Sequence, residues 1–443
     1  MRFSQDMPQS KTPAPAAEPV AIIGAALRFP GADDLAEYWR LLSGGTVAIT
    51  EPPPGRFDAM PSKAPHLLAG YLGDVARFDN RFFGIPTDEA RHMDPQQRLL
   101  LEVAFDAMLN AGLDVAGLAG RRVGVYLGLA KNAYGEHPGN PSPFSATGGQ
   151  VSCAAGRLAY HFGFRGPVLT VDTACSSALV AAHLAIRALR AGECELALIG
   201  GCNLILSPDG HAVFAELGLL APDGRSRPFD DAAAGFGRGE GCAVAVLRRA
   251  DLAAADRVLA LIEGSAVNHD GFSAGLTAPN QTAQCEVLRA ALADAGVGPD
   301  SVAMVETHGT GTLLGDAVEA RALNDVFAPK RTGARLVMGS AKAVVGHLEH
   351  AAGMAGLLKA VLCLAHGHIP GQPDFSTPTR QLPWDRMAVQ PAAQGSDWPA
   401  AGIRRAGVSA FGISGTNAHL VLRAADPMPE IDAPADGTPR LLP

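Results

Sequence analysis

Residues 168–180 read VLTVDTACSSALV. An apolar run, Val168–Val171, gives way to a turn of small residues, and a long helical pattern then begins. Strand, short turn and helix in immediate succession form the unit from which α/β folds are assembled. Cys175 falls in the turn, at or just before the predicted helix N-terminus. Unpaired N–H groups and the positive end of the helix dipole favour a thiolate there and predict a lowered thiol pKa. Ala174, Ser176 and Ser177 are small and leave room beside the sulfur for a substrate group. On these residues alone an activated nucleophile and a buried structural thiol weigh equally, since free cysteine is among the most buried residue types. Cys153, Cys194, Cys202, Cys242, Cys285 and Cys363 lack the setting and read as core thiols.

Two further loops repeat the pattern of a strand end rich in glycine. Residues 304–319, MVETHGTGTLLGDAVE, place His308 after a strand and before a helix starting near Asp316. No G-K-[ST] follows, so the loop is not a phosphate-binding P-loop. Residues 338–353, MGSAKAVVGHLEHAAG, place His347 after Gly346, with Lys342 five residues upstream. A single histidine is usually structural, but two at glycine-flanked strand ends point to a shared site. A third segment, Gly407–His419, reads as a Gly/Ser/Thr-rich turn before the last strand, able to offer N–H groups to an oxyanion.

Around these loops the chain alternates apolar runs with helical patterns, the α/β signature. Strands are expected at Val20–Ile23, Val123–Leu127, Leu196–Ile199, Ala243–Leu247, Val258–Ile262, Val302–Glu306, Val337–Ser340 and Ala418–Leu422. Helices are expected at Pro95–Asn110, with Asp94 as N-cap, and at Ser177–Ala191, Thr282–Ala295, Asp316–Phe327 and Ala351–His366. Residues 1–18 and 425–443 are Pro/Ala-rich and read as a flexible leader and the start of an interdomain linker. No long Pro/Gly/Ser linker divides the interior, so one unit of roughly 400 residues is expected.

A net charge of −8 favours neither nucleic acid nor an anionic membrane. Seven cysteines without a C-x-x-C or zinc-ligand spacing exclude a metal site of that kind and fit a reducing cytoplasm. The polar N-terminus has no signal-peptide core, and no apolar run is long enough to span a bilayer.

Taken in order, these segments resemble the β-ketoacyl synthase family, in particular the ketosynthase domain of a type I polyketide synthase. The resemblance runs from PVAIIGAALRFPGA (19–32) through MDPQQRLLLEVA (93–104), DTACSSAL (172–179), APDGRSRPFD (221–230), HGTGTLLGD (308–316) and GHLEHAAG (346–353) to GTNAHLVL (415–422). It implies a thiolase-like fold, five-layered αβαβα with two similar halves, residues 19–255 carrying the cysteine and 256–424 both histidines. It implies Cys175 as acyl-accepting nucleophile, His308 and His347 as the pair serving decarboxylation and condensation, and Lys342 as a supporting residue. The backbone N–H groups of Cys175 and Ile413 would form an oxyanion hole, with Thr310, Thr312 and Phe411 at the substrate and pantetheine site. Also implied are acyl carrier protein partners bearing phosphopantetheine, no cofactor or metal on the domain itself, adjacent synthase domains and a homodimer.

One departure stands out: such synthases usually carry Asn two positions before the Gly-His pair, where this chain has Val344, read here as a local packing change. A non-elongating acyl-transfer or gatekeeping homologue is the alternative, whose mark would be loss of the cysteine or of the HGTGT histidine; both are present. A chain-length subunit would lack the cysteine, and a thiolase acting on coenzyme A would carry a second cysteine within 407–419, where there is none.

Overall fold

The computed structural model describes residues 17–57, 62–132, 134, 142–254, 256–329, 331–398 and 402–426. Nearly all of the expected leader and linker lie outside these residues.

Eleven strands make up the main sheet: β1 (Val20–Arg28), β2 (Val123–Gly128), β3 (Val168–Val171), β4 (Leu196–Asn203), β5 (Gly241–Arg249), β6 (Ala260–His269), β7 (Met304–Glu306), β8 (Leu336–Gly339), β9 (Val389–Pro391), β10 (Arg405–Phe411) and β11 (Thr416–Ala424). From one side they run β3-β2-β4-β5-β1, and then β6-β11-β10-β7-β8-β9. The two blocks repeat one another. β1–β5 and β5–β4 are antiparallel while β4–β2 and β2–β3 are parallel. β6–β11 and β11–β10 are likewise antiparallel, and β10–β7 and β7–β8 parallel. The chain visits the five shared positions in the same order in both blocks, and the blocks join through a short antiparallel pairing of β1 with β6.

The helices repeat too. α1 (Pro95–Asn110), α2 (Val151–Phe162) and α3 (Ser177–Arg190) follow the first, second and third strands of one block; α4 (Asp209–Glu216) follows its fourth. α5 (Gln281–Ala295), α6 (Leu313–Phe327) and α7 (Ala352–His366) take the first three places in the other block. α1 and α2 cover the outer face of the first block, α5 and α6 that of the second, and α3 and α7 pack together between the blocks. Five layers result, the thiolase-like arrangement. The alternation of β1 shows why: Ala21 and Ile23 enter the outer core against α1, whereas Val20 and Ile22 enter the central core of α3 and α7. The middle helices approach so closely that a Cβ at Gly353 would lie 2.8 Å from Leu179 Cγ.

Local chemistry sets the helix ends. Asp94 accepts the Gln96 N–H at 2.8 Å with Pro95 at the first position of α1, and Asn280 accepts the Thr282 N–H at 3.0 Å before α5. Gly296 and Gly367 close α5 and α7 in the left-handed region.

One expectation needs correction. Residues 407–411 are not a turn but the end of β10, a strand in the middle of its block; only Gly412–Gly415 turn before β11. The sequence RAGVSAF looks like a loop because its side chains are small. They are small because the strand is buried on both faces, with the His419 ring 2.7 Å from where a Cβ on Gly407 would stand.

Candidate active site

Cys175 lies between β3 and α3, where Ser176 is the N-cap. The turn is tightly tied: Ser177 Oγ accepts the Thr173 N–H at 2.9 Å and donates to the Ala174 carbonyl at 2.6 Å. Ala174 stands at φ 56°, a left-handed conformation that costs a residue with a Cβ about 1 kcal/mol or more. That strain, immediately before the sulfur, turns Cys175 off the helix axis and into a cavity of about 280 Å³.

Three segments of the second block close the other side. His308 follows β7; Phe411 ends β10 and Ile413 lies just beyond it; His347 follows β8 and a single helical turn, Lys342–Val345. Cys175, His308, His347, Thr310, Thr312, Phe411 and Ile413 all line the cavity. The imidazole rings lie 5.6 Å apart, nearly perpendicular, and the Phe411 ring is 5.7 Å from that of His308. Thr310 and Thr312 share a hydroxyl hydrogen bond of 3.0 Å on the wall. Every predicted wall residue is therefore gathered at one site, at the carboxyl ends of parallel strands, where open α/β sheets place their ligands.

Lys342 stands behind the wall rather than on it. Its ammonium donates to the His308 carbonyl at 2.6 Å and is buried. Burial lowers its pKa, opposed by the carboxylates of Glu306 and Glu319.

Main-chain donors set the two tautomers. The Phe411 N–H donates to His308 Nδ1 at 3.3 Å, and the Glu349 N–H donates to His347 Nδ1 at 2.9 Å. With Nδ1 accepting, each neutral ring carries its proton on Nε2. Burial first, and the Lys342 charge second, push both imidazoles well below the usual histidine range. The rings are fixed donors.

The thiol corrects a second expectation. Burial pushes Cys175 up to about 11, and the Glu349 carboxylate adds to this. Lys342 and the N–H groups of Ile413 and Cys175 pull it back only in part. The helix N-terminus is present, but desolvation of the half-buried sulfur in a mostly apolar cavity outweighs it. Val344 is buried in the central core.

Several residues escaped the sequence reading. Glu319, on α6, accepts the N–H of His308 and of Gly309, each at 2.8 Å, and so holds the HGTGT loop. Asp316 accepts the Phe229 N–H at 2.7 Å and the Gly311 N–H at 3.1 Å. Burial pushes Asp316 to about 7 and Glu319 to about 8. Their i, i+3 spacing after the loop could have revealed them, since it puts both carboxylates on one helical face. Glu349, paired with Arg238 at 2.7 Å, had no such signal.

Comparisons with known proteins identify the family. Family models match at residues 17–253, as the β-ketoacyl synthase N-terminal domain, and at 259–376, as its C-terminal domain. The chain is 47% identical over 98% of its length to a spectinabilin polyketide synthase protein of Streptomyces orinoci, and 47% over 95% to an erythronolide synthase of Saccharopolyspora erythraea. It spans only 12% and 13% of those two proteins. Among solved structures, a ketosynthase from module 6 of the bacillaene synthase of Bacillus subtilis 168 superposes with a TM-score of 0.87 at 38% identity, covering 93% of this chain and 73% of that one. An oxazolomycin ketosynthase domain of Streptomyces albus JA3453 gives 0.87 at 36%, covering 93% and 77%. With a thiolase-like frame and matches of this extent, the chain belongs to the β-ketoacyl synthase family, as a condensing enzyme of the ketosynthase type found in polyketide synthases.

Proposed function

We propose that Cys175 accepts an acyl chain from an acyl carrier protein and that the chain is then extended by decarboxylative Claisen condensation with a malonyl-type unit on a carrier. The observation that carries this reading is the convergence of one thiol and two Nε2–H donors on a single cavity.

In the first step the sulfur attacks the thioester carbonyl of the incoming chain. The oxyanion is held by the N–H groups of Cys175 and Ile413. Collapse expels the carrier's pantetheine sulfur, which takes up the proton that the Cys175 thiol has lost.

In the second step the malonyl-type thioester enters past Thr310, Thr312 and Phe411. Its thioester carbonyl oxygen accepts from His308 and His347 Nε2–H. As the carboxylate departs as CO2, the electron pair moves into an enolate that these donors stabilise. The α-carbon attacks the Cys175 thioester, the same oxyanion hole serves again, and the Cys175 sulfur leaves as a thiolate that takes up a proton from water to restore the thiol. Neutral imidazoles fit this role, since a ring in place as a hydrogen-bond donor needs no protonation change. Lys342 and Glu319 hold the His308 loop from behind.

The phosphopantetheine arm arrives on the partner carrier and the domain holds no cofactor of its own. The unit works beside other synthase domains and forms a homodimer. β3, with Leu169 46% exposed, ends the sheet and supplies an edge on which a second copy can continue it. Among the described residues no helix is long and apolar enough to cross a membrane, in keeping with a cytoplasmic enzyme.

The test is intact-mass analysis after incubation with a panel of acyl-carrier thioesters, followed by malonyl-carrier. The expected result is an acyl adduct on the wild type, none on Cys175→Ala, and product release only after the malonyl unit is added. Acyl uptake without condensation would favour the gatekeeping alternative.

A further inference from the structure

We infer that His350 and Asp172 form a positioning pair that holds Ala174 in its left-handed conformation and thereby aims the Cys175 sulfur. Both residues lie outside the set already assigned, and they come from opposite blocks. Asp172 precedes the nucleophile turn after β3, whereas His350 belongs to the 3-10 turn Glu349–Ala351 that follows His347. A single oxygen joins them: Asp172 Oδ1 accepts the Ala174 N–H at 3.0 Å and lies 3.3 Å from His350 Nε2.

Three observations give the pair its purpose. Ala174 stands at φ 56°, a region that a residue with a Cβ leaves unless something restrains it. Ser177 holds the carbonyl side of Ala174, and the Asp172 oxygen restrains its N–H; the His350 ring keeps that oxygen in place, since the Asp172 side chain is 55% exposed and otherwise free to turn to solvent. The His350 backbone packs closely on β4: a Cβ on Gly201 would stand 3.1 Å from the His350 carbonyl and 3.0 Å from Ala351 Cα. His350, only 17% exposed in its side chain, also lines the cavity with Ala174 and Cys175. The turn that carries the nucleophile is thus latched to the turn that carries His347.

The inference rests on Cys175 being the reactive group of the site. Its test uses alkylation by iodoacetamide, which needs neither carrier nor acyl chain, so the acyl-uptake experiment can fail without affecting it. A half-exposed pair supports about a fivefold effect. His350→Ala is expected to slow alkylation of Cys175 about fivefold with an unchanged apparent thiol pKa, the groups facing the sulfur being Glu349, Lys342, His308 and His347. Glycine adopts the left-handed region freely. In the Ala174→Gly background the same His350→Ala change is therefore expected to cost less than about twofold. His350→Gln, which retains a donor over Asp172, should recover most of the rate. Should His350→Ala fail to fold, Asp172→Ala replaces it in the same cycle. An equal loss in both backgrounds, a shifted thiol pKa, or no difference between Gln and Ala at position 350 would overturn the assignment.

Discussion

The turn after β3 and the turn after β8 occupy equivalent places in the two blocks, yet they present different chemistry in different ways. The first is short. It passes from strand to α3 through one strained residue, Ala174, and projects a sulfur from the start of the helix. The second is longer, with a helical turn at Lys342–Val345 and Gly346 at φ 77° before His347. His347 is clipped by main-chain pairing, its N–H donating to the Gly237 carbonyl at 2.7 Å and its carbonyl accepting from the Gly239 N–H at 2.8 Å. A nucleophile has to stand clear of its own backbone, whereas a hydrogen-bond donor has to stay still. One frame, repeated, serves both needs because only the turns differ.

If that division is right, Cys175→Ala abolishes acyl uptake altogether, with no adduct in an intact-mass spectrum. His347→Ala should leave the adduct intact and lower single-turnover condensation about 10²- to 10³-fold, the usual cost of losing an oxyanion donor. Loss of uptake in His347→Ala would merge the two roles and break the comparison.

The thiol sharpens it further. With Cys175 pushed up to about 11, the iodoacetamide rate of the wild type should still be climbing at pH 10. Lys342→Met removes the main charge holding the thiol down and should slow alkylation at pH 9 by about three- to tenfold.

A smaller effect concerns stability. Asp316 and Glu319 have folded values of about 7 and 8 against ordinary values of 3.8 and 4.5, so the folded state holds protons that the unfolded state has lost. Their contribution is full below the unfolded values and disappears as pH rises through the folded ones. Melting temperature should therefore fall between about pH 5 and 8. Glu319→Gln should flatten that slope, and an unchanged slope would assign it to other groups. Gly412→Ala would set a Cβ 2.3 Å from the Thr173 carbonyl and cost about 1–3 kcal/mol through displacement of the two turns, read as a drop in denaturation midpoint.

Much of this was legible beforehand. Pro95–Asn110 coincides with α1 residue for residue, because Asp94 and Pro95 are start signals whose effect is local. The glycine-flanked histidines and the helix-start cysteine were legible for the same reason. β10 was not, since Gly407, Ser409 and Ala410 carry no strand-forming bulk; what makes them a strand is the pairing with β7 and β11 on either side. The direction of the thiol shift was also hidden, because desolvation depends on what surrounds the sulfur and not on its place along the helix.

The opening segment, VLTVDTACSSALV, thus determined by itself a strand, a turn and a helix with a thiol at the junction. Backbone propensity and side-chain size act within a few residues and are written in order along the chain. Only the tertiary structure decided that the thiol meets two imidazoles with their protons on Nε2, that burial raises its pKa, and that a histidine from the other block steadies its turn. Apart from the His347 tautomer, which its neighbour Glu349 sets, those outcomes depend on groups more than a hundred residues apart, brought together by the repeated sheet and by the packing of α3 against α7.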